Sequence, residues 1–75
     1  MIQIFPNPTS GEVGVSMSFD GEKTITIYGL DGTLIEVVST TENSIYLDLA
    51  TRSSGVYLAH IQSDFGVVVK RIIKN

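Results

Sequence analysis

His60 is the only histidine in a 75-residue chain that has no cysteine, so proton transfer or metal binding would need carboxylates gathered around its imidazole. Bases and metal ligands converge on one point, commonly from loops. His60 instead stands between Ala59 and Ile61 in an alternating run, and it reads as a surface residue of a strand. The carboxylates do not gather either, because Asp20 and Glu22, Asp31, Glu42 and Asp64 fall at successive turns. A calcium loop needs several oxygen ligands in one segment, and none of these turns offers them. Turn formation and solubility account for the acidic side chains. Ser10 and Ser54 each precede a glycine but lack the flanking pattern of a nucleophile elbow and a base to activate them. Gly29 and Gly32 are too sparse for a phosphate cradle, and no helical period follows to bind an anion at its start. Proline at the middle of Asn7-Pro8-Thr9 blocks N-glycosylation there. No catalytic, cofactor-binding or metal site is expected, and the chain does not read as an enzyme.

The charge is unevenly placed. The formal net charge is -3, yet Lys70, Arg71 and Lys74 supply three of the five Lys and Arg side chains, and every acidic residue lies at Asp64 or earlier. An acidic body repels phosphate backbones, so no nucleic-acid partner is expected. Two readings of the basic end stand side by side. In one, Lys70 and Arg71 keep an edge strand from pairing with other chains. In the other, cations at an accessible terminus dock a partner protein, setting encounter rate and orientation. The lack of cysteine removes disulfides and thiolate metal sites and leaves the compartment open. No apolar run approaches the roughly 20 residues that span a bilayer, and no segment resembles a signal peptide; for a secreted parent protein, the export signal is expected outside these residues.

The elements that carry these side chains are short. Residues 1–5 are apolar and stop at Pro6, which lacks an amide hydrogen and suits a strand end or an edge. Pro6 and Pro8 flank Asn7, and each pushes the residue before it toward extended conformations, so Pro6, Asn7, Pro8 and Gly11 define a stiff corner. Residues 12–19 alternate, with Val13, Val15, Met17 and Phe19 on one face. Asp20-Gly21 is a hairpin dipeptide, which predicts that this run pairs with residues 23–28, where Ile25 and Ile27 point inward. Gly29-Leu30-Asp31-Gly32 turns the chain into residues 33–40, apolar on both faces. Residues 44–49 set Ile45, Leu47 and Leu49 against Tyr46 and Asp48. Gly55 opens the next run, with Tyr57, Ala59 and Ile61 inward and His60 outward. Asp64-Phe65-Gly66 turns once more into residues 67–74, whose faces the pattern does not assign. With 43% hydrophobic and 17% charged residues, the chain folds. Strands spaced about ten residues apart predict an all-β, seven-stranded immunoglobulin-like or Greek-key antiparallel sandwich, a single domain over residues 1–75.

Taken in order, Ile4-Phe5-Pro6-Asn7-Pro8-Thr9-Ser10-Gly11, Ile27-Tyr28-Gly29-Leu30-Asp31-Gly32, Ser54-Gly55-Val56-Tyr57-Leu58 and Lys70-Arg71-Ile72-Ile73-Lys74 make the sequence resemble the C-terminal sorting domain of type IX secretion cargo proteins of Bacteroidetes. It departs from that family at Gly29, where a polar residue is common, and at Arg71, where lysine is. The resemblance implies an address label on a larger protein. Such a label follows its N-terminal cargo domain into the periplasm, is recognised by the outer-membrane translocon, and is usually removed by a cell-surface sortase, leaving the cargo on the surface or outside the cell. It also implies that Lys70, Arg71 and Lys74, with Gly55 and Tyr57, take part in recognition, while Pro6, Asn7, Pro8 and Gly11 define the fold. For Gly55 and Tyr57, turn geometry and core packing stand as an equal reading. A different class stays open from the residues alone: a structural or carbohydrate-binding sandwich of a secreted enzyme or adhesin, with Tyr28, Tyr46 and Phe65 as its aromatic candidates.

Overall fold

Each alternating run leaves one apolar face to bury, and the chain buries these faces by stacking two sheets. The computed structural model describes residues 1–75. Its strands are β1 (Ile2–Phe5), β2 (Glu12–Met17), β3 (Lys23–Gly29), β4 (Leu34–Thr40), β5 (Ser44–Asp48), β6 (Gly55–Ser63) and β7 (Gly66–Lys74). One sheet runs β1-β2-β5 and the other β4-β3-β6-β7, with every pairing between strands antiparallel. This is the seven-stranded sandwich expected, and it contains no helix long and apolar enough to cross a membrane. Val13, Val15 and Met17 of β2 face Ile25 and Ile27 of β3, with Leu47, Leu49, Ala59, Ile61 and Ile72 completing the core.

One pairing differs from the expectation. The Asp20-Gly21 turn does not close a hairpin: β2 pairs with β1 and β5, and β3 with β4 and β6. Gly21 does take the positive φ of 102° that a tight turn uses, but the turn carries the chain from one sheet to the other. Alternation specifies which face of a strand is buried. It does not distinguish a neighbour in the same sheet from a partner across the core, because both bury the same residues.

In β4 the mixed pattern has a cause. The register with β3 shifts between Ile27 and Tyr28, and such a bulge reverses the alternation, so that Ile35 and Val38 both pack against the core despite their odd spacing. Lys23 is the other departure from a simple reading. It shares a face with Ile25 and Ile27 and is fully buried, which a lysine tolerates only when its amine is satisfied. Its Nζ donates to Asn43 Oδ1 at 2.6 Å and, more weakly, to the carbonyls of Glu42 and Thr41 at 3.3 and 3.4 Å. It lies 5.2 Å from the centroid of the Phe19 ring. The amine thus ties the β4–β5 connection down against the start of β3.

Candidate functional site

The corner at Pro6 to Gly11 is held by side chains as well as by proline. Both X-Pro bonds, Phe5-Pro6 and Asn7-Pro8, are cis. Thr9, buried to 1% exposure, donates through Oγ1 to the Glu12 carbonyl at 2.6 Å and accepts from the Gly11 amide at 3.0 Å. Asn7 reaches across to β7, where its Nδ2 donates to the Arg71 carbonyl at 2.7 Å and its Oδ1 accepts from the Ile73 amide at 2.8 Å. The Thr9 amide then donates to the Ile73 carbonyl, and the Asn75 amide to the Thr9 carbonyl. These bonds make a parallel bridge between Thr9 and Lys74. The corner therefore acts as a short extra strand on the last residues of the chain.

On the other side of β7 lies the start of β6. Tyr57 is buried, and its hydroxyl donates to the Ser53 carbonyl at 2.6 Å. That bond to the backbone four residues upstream is the tyrosine-corner arrangement of antiparallel sandwiches. Gly55 has φ 147° and open space where a Cβ would stand, so backbone conformation rather than crowding explains the glycine. Packing and turn geometry are what both residues visibly do.

The turn after β3 closes the far side. The Gly29 amide donates to the Thr33 carbonyl and the Gly32 amide to the Gly29 carbonyl, while Asp31 Oδ1 accepts from the Thr33 amide at 3.0 Å. The Thr33 amide, followed by the Thr33 side chain, holds the Asp31 carboxyl below the usual carboxylate range. A Cβ on Gly29 would stand 3.0 Å from Asp31 Oδ1, so the departure at Gly29 leaves room for the carboxylate that closes the turn.

The register brings these segments into one row. Gly29 opposes Tyr57, Tyr57 opposes Ile72, Gly55 opposes Lys74, and Thr9 bridges Lys74. All the segments that carry the resemblance thus meet at one end of the four-stranded sheet. Between the Asp31 turn and the start of β6 runs an open groove of about 460 Å³, lined by Leu30, Asp31, Ile35, Ser53, Gly55 and Tyr57 among others. Leu30 stands 68% exposed at its rim.

The cations separate into two kinds. Lys70 and Arg71 are exposed, and the bonds at Arg71 run through its main chain, leaving the guanidinium free. Lys74 corrects the expectation of an accessible cationic terminus. It is only 8% exposed and its Nζ turns back to the Asn75 carbonyl at 3.3 Å, because it shares the core-facing side of β7 with fully buried Ile72. Sequence spacing alone does not separate them, since apolar residues flank Lys70 and Arg71 on both sides in β7.

His60 faces out of β6 with its ring edge-on to Tyr28, centroids 4.9 Å apart, and no group of His, Asp and Glu side chains in the molecule is close enough to hold a metal ion. The aromatic candidates share no surface. Tyr28 packs on His60, Tyr46 lies with Phe5 over Gly14 on the other sheet, and Phe65 stands edge-on to Phe19 at 5.5 Å in the β6–β7 turn. Thr9 and Lys23 carry structural roles that no sequence signal announces, since a turn threonine and a strand-start lysine are ordinarily exposed. Residues 3–75 match a family model described as the secretion system C-terminal sorting domain. No curated protein matches the chain.

Proposed function

Because the chain belongs to the secretion-system C-terminal sorting domain family, whose members mark cargo for type IX secretion, we propose that the end of the sandwich assembled by its separated motifs is the surface the secretion machinery reads. The carrying observation is the row that sets the Asn7 corner, the end of β7, the start of β6 and the Asp31 turn side by side. A receptor that must handle many cargoes needs a feature independent of the cargo, and a self-contained folded end provides one. In this reading Lys70 and Arg71 make the polar contact. Gly55, Tyr57 and Lys74 contribute by building the end, together with Pro6, Asn7, Pro8 and Gly11. The label follows an N-terminal cargo domain through the periplasm, crosses at the outer-membrane translocon, and is cut away by a sortase at the surface. It works as substrate, without cofactor or reaction of its own.

A fusion tests this. The chain is attached to the C-terminus of a periplasmically targeted reporter, in a type IX-competent bacterium and in the same strain lacking the translocon. The reporter is expected on the surface or in the medium of the first and in the periplasm of the second. Periplasmic retention in both would overturn the proposal.

A further inference from the structure

The outer edge of β7 is only half covered. In an antiparallel strand the amide and carbonyl of a residue point to one side and those of the next residue to the other. Ile73 directs both groups to the corner, and β7 pairs with β6 without a register shift, so Arg71, Val69 and Val67 also present their main chains away from β6. The corner takes the Arg71 carbonyl, both groups of Ile73 and the Asn75 amide. Beyond it the edge is open, because β7 is the last strand of its sheet. The free groups are the amides and carbonyls of Val67 and Val69 and the amide of Arg71. Their side chains are exposed as well: Val67, Val68 and Val69 at 58, 41 and 51%, followed by exposed Lys70 and Arg71.

We propose that this open stretch, residues 67–71, receives an extended acidic and apolar segment of a partner protein as an added strand. The inference rests on the reading of the chain as a sorting signal and names the mode by which that signal is held. Strand addition supplies main-chain hydrogen bonds, with side-chain neighbours setting specificity. Lys70 and Arg71 are adjacent and so point to opposite faces of the sheet. A strand laid alongside meets a cation on each face at one end and valines at the other. The match is therefore a segment with carboxylates at consecutive positions near one end and apolar residues beyond them, since opposite charges across a strand pair attract and like charges repel. That repulsion disfavours a second copy as occupant, because antiparallel self-pairing about Val69 would gather two Lys70 and two Arg71 side chains on one short ribbon. The other open edge of this sheet, β4, carries exposed Leu34 and Val37 but Glu36 as its charge, and offers nothing to an acidic strand.

The test uses the isotopically labelled chain in solution, a short synthetic peptide with two consecutive glutamates followed by a run of valines, and the same peptide with lysines for the glutamates. The glutamate peptide is expected to slow hydrogen exchange at the amides of Val67, Val69 and Arg71, and the lysine peptide to leave them unchanged. Val69→Pro removes an outward amide that no fold hydrogen bond uses, so it is expected to keep the fold and abolish the protection. Lys70→Glu with Arg71→Glu is expected to weaken binding about tenfold. Lack of binding, equal binding by Val69→Pro, or binding without protection at these amides overturns the proposal. So does self-association with protection at both the β4 and β7 edges. A reporter fusion distinguishes the two levels. If the wild-type fusion stays in the periplasm, the sorting reading fails. If wild-type and Val69→Pro fusions are exported equally, only strand addition fails.

Discussion

Asn7 shows how one side chain can stand in for a strand. Its amide group both donates to and accepts from β7, which an alanine cannot do. Asn7→Ala is expected to destabilise the fold by about 1–2 kcal/mol, with one carbonyl and one amide left to water. Urea denaturation measures the loss, and faster exchange of the Ile73 amide places it at this site. Tyr57→Phe removes the bond to Ser53 and is expected to cost about 1 kcal/mol, a fall of roughly 4–8 °C in Tm for a domain this size. Because the hydroxyl is used internally, a stabilised Tyr57→Phe fusion is expected to be exported like wild type. Selective loss of export at unchanged Tm would instead make Tyr57 a contact residue. Asp31 predicts a pH effect of definite sign. Its carboxyl is held below the ordinary range by Thr33, so the turn is intact above the unfolded-state pKa of about 4 and loosens only as pH falls through the lower folded value. A pH titration followed by NMR at the Thr33 amide reads this, and loosening already above pH 5 would contradict it.

At the scale of elements, β7 has two halves with different duties. The main chain of residues 72–75 is held between β6 and the corner, and Ile72 lies in the core. Residues 67–71 are exposed, and their outer edge is open as far as the Arg71 amide. The basic end is therefore not a detachable tag. Removing residues 70–75 is expected to lower Tm by more than 10 °C along with export, since losing a buried isoleucine costs about 2–5 kcal/mol before the corner is counted. Thermal unfolding and export of the same truncated fusion check this, and an unchanged Tm would show the end to be an appendage. Much of this architecture was legible beforehand. The strands, the Pro6-Asn7-Pro8 corner, the inward sets of β2, β3, β5 and β6 and the outward His60 follow from period, proline and glycine. What was not legible depends on partners far away in sequence. Asp20-Gly21 has the local form of a hairpin whichever sheet receives the next strand. Thr9 bridges the main chain at Lys74, and Asn43 takes the amine of buried Lys23, and neither partner is visible from its own neighbourhood.

At the scale of the whole molecule, the family motifs lie far apart in the chain and side by side in the fold. That arrangement brings the motifs of a 75-residue chain together at one end of the sandwich, the surface proposed for recognition. The charge asymmetry gains a definite address as well. Among the basic residues of the terminus, Lys70 and Arg71 are presented and Lys74 is enclosed. Surface substitutions away from buried contacts ordinarily change stability by less than about 0.5 kcal/mol, so the exposed pair can be altered while the fold is kept.

The most direct test of the account is therefore a reporter fusion in which Lys70→Glu and Arg71→Glu are combined, compared with wild type for Tm and for the fraction of reporter outside the outer membrane. The predicted result is an unchanged Tm with the reporter held in the periplasm. Export equal to wild type from the charge-reversed chain would contradict the claim that the exposed basic pair on this assembled end is what the secretion machinery reads.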